Sequence, residues 1–280
     1  MSAPVQTRSA VADSYDRLAE ACPHATVIEL EPGQPHPRGD GWVRAAGLAA
    51  GDGDLDSFLR WDDEQVLREY GEPGRPDVVA GFGLHRYAWT ACLLITVPWF
   101  LHRRVPRLPV EDVSYHRADG RFGIRPGVFA CLPDDPAANR PGARVVGDEE
   151  ALRGEVRAAL TEHLEPLLGG FGPRMRRRGR ALWAVVTDDA VEGLHYIGQA
   201  IGEADRAQRE LELLLPGSTR PFVGSAGFRE LTGPGGAALP TRDRASCCFF
   251  YTIRPDEMCD NCPRTCESDR IAKLTAAATS

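Results

Sequence analysis

The chain has 280 residues, 42% hydrophobic and 26% charged, with a formal net charge of −7. That length and balance suit a globular protein with a substantial core, in one large domain or two packed lobes. The acidic balance argues against a nucleic-acid partner, whose phosphates reward a basic surface. Residues 1–22 carry Arg8, Asp13, Asp16, Arg17 and Glu20 with no apolar stretch of signal-peptide length, so the expected location is the cytoplasm.

Apolar residues at Val11, Tyr15, Leu18, Ala19 and Cys22 have helical spacing, which predicts a helix over 10–22 ended by Cys22-Pro23. Residues 24–30 suggest a short strand. A loop rich in Pro and Gly over 31–41 separates it from helices at about 42–49 and 54–70, the second with Leu55, Phe58, Leu59, Val66, Leu67 and Tyr70 on one side. The most hydrophobic run, 87–101, is interrupted by Pro98 and flanked by His85-Arg86 and His102-Arg103-Arg104. Its length falls short of the roughly 20 residues that cross a bilayer, so a buried helix over about 77–101 is expected and stable membrane insertion is not.

Pro106 and Pro109 mark a junction, and short apolar clusters among Gly120, Gly123, Pro126 and Gly127 predict two or three strands over 110–131. Pro133, Pro136 and Pro141 make an exposed loop, after which Asp148 caps a helix running to about 168. Gly169-Gly170-Phe171-Gly172-Pro173 follows, then Arg174-Met175-Arg176-Arg177-Arg178-Gly179-Arg180. Arginines this dense before a predicted helix could bind an anion at its N-terminus; as a charge run they read first as a solvated face. The glycines lack a following Lys-Ser/Thr and a preceding strand, so no nucleotide site is indicated.

Residues 180–202 and 204–215 read as paired helices, the first burying Leu182, Trp183, Val186, Leu194, Ile197 and Ile201, with Asp188-Asp189 as helix-surface carboxylates. Glycine-rich 222–242 reads as loop or irregular strand, 246–253 as β-like, and 262–277 as a terminal helix with Arg270 and Lys273 on its polar face. No internal repeat is present. Cys22, Cys92 and Cys131 stand alone among apolar residues, as core cysteines do. The histidines show no ligand-pair spacing; His85, Trp89 and His102 could face a substrate cleft or belong to a buried helix.

The remaining cysteines are bunched: Cys247-Cys248, then Cys259-Asp260-Asn261-Cys262, then Cys266. Core use would scatter them, and without an export signal the thiols should stay reduced, so a metal site is a better account than disulfides. Four-thiolate zinc sites usually combine two Cys-x2-4-Cys knuckles, and only Cys259-x2-Cys262 is one. Vicinal residues on an extended chain point to opposite faces, so Cys247 and Cys248 can share a site only where the backbone bends. An iron–sulfur cluster relaxes this demand because its ligands attach to different irons. Cys259-x2-Cys262-x3-Cys266 superficially matches half of a bacterial ferredoxin motif, while a spacing of four on a helix equally points Cys266 into local packing.

The pattern Cys-Cys-x10-Cys-x2-Cys, preceded by Arg244 and Ser246 and followed by Phe249, Phe250 and Tyr251, resembles the C-terminal signature of the FhuF-like ferric siderophore reductases. A looser likeness covers Arg180-Ala181-Leu182-Trp183-Ala184-Val185-Val186-Thr187-Asp188-Asp189, similar to a central helix segment of that family and of the C-terminal domain of siderophore synthetases. The resemblance implies a [2Fe-2S] cluster held by Cys247, Cys248, Cys259 and Cys262, and does not require Cys266. Ser246, Arg244 and the backbone near Asn261 would then tune it. It also implies a helix-rich α+β fold: a helical N-terminal lobe (1–105), a mixed α/β substrate lobe (106–243) related to the synthetase domain, and a cluster segment with a terminal helix (244–280). The implied activity is one-electron reduction of a ferric siderophore with release of Fe(II), with no catalytic residue beyond the cluster. Its partners would be the ferric siderophore and an external donor, a ferredoxin or a flavin- or NAD(P)H-dependent reductase. The alternatives are an iron–sulfur sensor or electron-transfer protein, and a structural zinc site on a siderophore-binding domain.

Overall fold

The structure, a computed structural model, describes residues 8–39, 41–217, 219–259 and 261–278. Helix α1 (Ala12–Ala21) buries Tyr15 and Leu18, and β1 (Val27–Glu29) follows. Residues 42–44, expected to be helical, form β2 (Trp42–Arg44) because they pair with a strand far along the chain; only α2 (Ala45–Ala50) is helix there. The Asp52 carboxylate caps α3 (Gly53–Tyr70) by accepting the Asp54 N–H at 2.9 Å.

Helix α4 (Pro76–His102) is 27 residues long, within one residue at each end of the expected buried helix. By length and composition it could cross a membrane, yet 72% of its most apolar window is buried within the molecule. Pro98 has no N–H for the Leu94 carbonyl, and the Tyr15 hydroxyl from α1 donates to that oxygen at 3.1 Å. The orphaned acceptor is thereby satisfied in the core.

The next elements are β3 (Arg104–Pro106), β4 (Val113–His116), β5 (Arg121–Ile124), β6 (Phe129–Cys131) and β7 (Ala143–Val145). They make two small sheets, ordered β1-β5-β4-β2 and β3-β6-β7. The first is antiparallel except for β1 on β5; the second joins an antiparallel β3/β6 pair to a parallel β6/β7 pair.

Asp148 caps α5 (Glu149–Met175) by accepting the Ala151 N–H at 2.8 Å, as expected. The helix does not stop at 168. It continues through the glycines because α5 packs on α2, and at Gly170 a β-carbon would overlap the Leu48 carbonyl oxygen. Arg176, in the left-handed conformation (φ 55°), ends the helix. Helices α6 (Arg180–Ala200) and α7 (Ala204–Leu214) follow the paired reading.

Within 216–242 lie β8 (Pro216–Gly217) paired with β9 (Gly224–Ser225), and a regular hairpin of β10 (Phe228–Thr232) and β11 (Ala238–Arg242) where loop or irregular strand was expected. The expected strand at 246–253 is absent: the chain bends, Phe249 takes φ 63°, and residues 250–252 form one 3-10 turn. Helix α8 (Glu267–Ala278) begins later than expected, and Arg270 is buried, donating to Asp243 Oδ1 at 2.5 Å and the Cys262 carbonyl at 3.1 Å. About 52% of the chain is helix and the class is α+β.

One apolar cluster runs from Val11 to Ala226, with Tyr87, Trp99 and Phe100 of α4 fully buried in it. A satellite of Val66, Val78, Val79 and Ile253, with Tyr70, Phe82 and Phe249 against it, seats the cysteine segment on α3 and α4. Cys22, Cys92 and Cys131 are buried free thiols, as expected.

Two polar side chains of this core, Tyr87 and His163, satisfy each other. His163 Nδ1–H donates to the Leu108 carbonyl at 2.6 Å, and Nε2 accepts from the Tyr87 hydroxyl at 2.9 Å. Burial pushes His163 down from 6.5 to about 4. Protonation therefore favours the unfolded chain: the contribution of neutral His163 is complete above 6.5 and is lost as pH falls toward 4. Chemical denaturation across that window should show about 3 kcal/mol of stability loss from this group, flattened in His163→Gln. In the same assay Gly170→Ala should destabilise by about 1–3 kcal/mol through overpacking. Gly169→Ala, with open space around it, should instead stabilise by up to about 1 kcal/mol.

Candidate iron–sulfur site

The segment leaving β11 crosses α6, and one buried carboxylate fixes it there. Asp188 Oδ1 accepts from Arg242 Nη1 at 3.1 Å and from the Ala245 N–H at 3.1 Å. Its Oδ2 accepts the Ser246 N–H at 2.8 Å and the Ser246 hydroxyl at 2.6 Å, with Arg244 Nε 3.7 Å away. Asp188 and Asp189 are 2% and 1% exposed, which corrects their assignment to the helix surface. Consecutive helical positions diverge by about 100°, so the two acids serve different neighbours. Asp189 Oδ1 lies 2.5 Å from His85 Nδ1 on α4. Its carboxylate raises the His85 imidazolium, while burial raises Asp189 itself.

Directly after this anchor come the vicinal cysteines. The backbone bends at residues 245 and 246, just before the pair, and Phe249, just after it, is left-handed. The Phe249 amide lies near the Cys247 sulfur and the Phe250 amide near the Cys248 sulfur, each favouring a thiolate. The nearby Cys259 thiol chiefly, with the Phe250 amide and Arg244 in support, favours Cys248 as thiolate. Cys262 is buried in a turn whose N–H donates to the Cys259 carbonyl at 3.1 Å. Cys266 is exposed, its sulfur 3.0 Å from Ser268 Oγ.

Among the described residues no group of three or more His, Cys, Asp or Glu converges on a single ion position. The donor set suits a wider object: four free thiols from two turns, two of them near each other, with backbone amides near sulfur. Residues 244–264 match the family model described as the FhuF 2Fe-2S C-terminal domain. The chain is similar to that domain over this segment. Its cofactor is a [2Fe-2S] cluster. No curated protein matches the chain.

Two clefts flank this FhuF-type segment. One, of about 440 Å³, is lined by Tyr70, Phe82, His85, Arg86, Trp89 and Phe250 among others, with Tyr115 and Arg117 from the β4/β5 hairpin. The other, of about 970 Å³, includes Glu192, His195, Phe228, Arg242, Cys259 and Asn261. His85 and Trp89 thus face a cleft, whereas His102 bonds to Ser14 Oγ at 2.7 Å and does not. The aromatics after Cys248 divide: Phe250 packs on Tyr70 and Phe82, with centroids 5.4 and 6.4 Å away, while Phe249 and Tyr251 carry Arg177 and Arg264 over their rings.

Cysteine spacing did not point to Asp188, because its partners lie 54–58 residues away. The only sequence signal was its place in the 180–189 likeness. Asp188→Asn leaves Arg242 and Arg244 without their shared buried countercharge, so stability should fall by about 3–5 kcal/mol in chemical denaturation. Iron and sulfide per chain should fall with it. Ser246→Ala removes one hydrogen bond from the same anchor and should cost about 1–2 kcal/mol.

Proposed function

We propose that the chain is a cytoplasmic ferric siderophore reductase acting on a hydroxamate-type chelate. The observation that carries this reading is the 440 Å³ cleft walled by Phe250, two residues beyond Cys248. A [2Fe-2S] centre bound by Cys247, Cys248, Cys259 and Cys262 would supply one electron at a time, received from an external ferredoxin or flavin- or NAD(P)H-dependent reductase and passed to the chelated Fe(III). Hard oxygen donors hold the resulting Fe(II) much less tightly, which loosens the iron.

The residues have separable tasks. Tyr70, Phe82 and Trp89 offer apolar faces to the chelate scaffold, and Arg86 and Arg117 offer positive charge to its oxygens. The Asp62 carboxylate orients Arg86 at 2.8 Å, and Ser57 holds Arg117 through its carbonyl at 3.0 Å. His85, fixed by Asp189, stands between this cleft and α6. In this reading residues 106–243 form a substrate lobe related to the C-terminal domain of siderophore synthetases, set against the helical lobe 1–105.

Anaerobically purified protein should show visible absorption that bleaches on reduction, a reduced-state EPR signal and near-equal iron and sulfide, and it should reduce a ferric trihydroxamate. Cys247→Ser and Cys259→Ser should lose both cluster and activity. Trp89→Ala should keep the cluster and weaken ferric trihydroxamate binding by about tenfold. A colourless protein holding one zinc would sink the redox reading, and a reducible cluster without affinity for ferric chelates would leave an electron-transfer or sensor protein.

A further inference from the structure

The arginine run between α5 and α6 has no part in the proposed reduction, yet it lies against the cysteine segment. Arg177 Nη1 donates to the Cys247 carbonyl at 3.4 Å, and its guanidinium sits 4.2 Å from the Phe249 ring centroid. On the other flank the Arg264 guanidinium is 4.2 Å from the Tyr251 centroid, and the two rings are 6.0 Å apart. Two stacked cations therefore bracket Cys247. Behind Arg177, the side chains of Arg174, Arg176, Arg178 and Arg180 are exposed.

These charges are not neutralised locally. Arg174 pairs with Asp56 at 2.5 Å, and nearby Asp77 is taken by Arg75 at 2.7 Å. Arg176, Arg177, Arg178, Arg180 and Arg264 pair with no carboxylate among the described residues. A chain of net charge −7 thus presents a concentrated positive collar at the Cys247 edge of its redox site. The chelate cleft lies on the Cys248 side, behind Phe250 and His85.

We infer that this collar docks the external donor, a small electron-carrier protein with an acidic face. The inference rests on the chain accepting electrons at the four cysteines. Guanidinium forks spread along a solvent-facing connection match several carboxylates on one protein surface, whereas an enclosed cleft would suit a single chelate. Complementary charge here accelerates encounter and orients the carrier so that its centre faces Cys247. In the encounter the carrier loses one electron, the four-cysteine site gains it, and no covalent bond changes.

The test is stopped-flow reduction of the cluster-loaded full chain by a reduced acidic ferredoxin, with a reduced zwitterionic viologen, a small reductant with no protein face to dock, as the control. Arg176→Glu, Arg178→Glu and Arg180→Glu are combined in one variant, whose sites are solvent-exposed and make no contact with the thiols. The wild-type rate with the ferredoxin should fall steeply as salt rises, and the variant should be slower by at least about tenfold at low ionic strength. Its rate with the viologen should be unchanged. Equal ferredoxin rates and salt dependence in both proteins would overturn the proposal, as would an equal loss with the viologen. Weakened ferric trihydroxamate binding with an unchanged ferredoxin rate would overturn it too, assigning the collar to the chelate. Because no siderophore enters the kinetic assay, failure of the reductase reading appears separately, as absent ferric trihydroxamate reduction by the wild type.

Discussion

The cysteine segment depends on the Asp188 carboxylate. From Asp243 to Phe249 the chain has no regular secondary structure, so no ladder of backbone bonds fixes its path. Ordering such a stretch costs about 1–2 kcal/mol of backbone entropy per residue. Two backbone amides, one hydroxyl and the Arg242 guanidinium converge on one carboxylate carried by the buried face of α6, and they supply the restraint instead. A buried charge is tolerable only when paired and hydrogen-bonded, and here the groups that satisfy it are the residues leading into Cys247. The need to satisfy the acid and the need to position the thiol are met by the same contacts.

That anchor is only as firm as α6, and α6 is held by α4. The longest apolar helix stays intact through Pro98 because Tyr15 satisfies the freed carbonyl, and its polar middle is quenched by the Tyr87–His163 pair. His85 adds a second tie from α4 to α6 through Asp189, one residue beyond the anchor. The satellite of Val66, Val78, Val79 and Ile253 then clamps the far end of the segment to α3 and α4. Cys247 and Cys248 are thus fixed to rigid helices on both sides, the arrangement a redox site needs if its ligands are not to shift with each electron.

Local patterns were legible where local physics decides. The thiols cluster within a short window, and the continuous apolar run of α4, the Asp148 cap of α5 and the apolar spacing of α6 identify those helices without reference to anything distant. Misreadings occurred where a remote partner decides. Trp42–Arg44 is a strand because Ser114–His116 pairs with it. The 169–173 glycines continue a helix because α2 needs to approach closely at Gly170. Residues 246–253 are aromatic-rich and β-like in composition, but the chain bends at 245 and 246 and Phe249 is left-handed, so no strand forms. Asp188-Asp189 looks the same as any surface pair until α4 and the cysteine segment cover it from two sides.

The same distinction governs charge. A net charge of −7 describes the far field and bears on nucleic acid as a partner, but it is silent about a patch whose countercharges lie elsewhere. Screening confines each charge to roughly 8–10 Å at ordinary salt, so an approaching molecule near Cys247 senses Arg177, Arg264 and the exposed arginines, not the distant acids. Stacking on Phe249 and Tyr251 also fixes two of those cations in place, lowering the side-chain entropy lost when a partner arrives. The aromatics following the vicinal cysteines therefore do two kinds of work on two faces: Phe250 closes the cleft beside Cys248, and its neighbours hold positive charge beside Cys247. A single short segment gives the redox site an apolar face and a cationic one, which separates the side where a chelate can sit from the side where a carrier can dock.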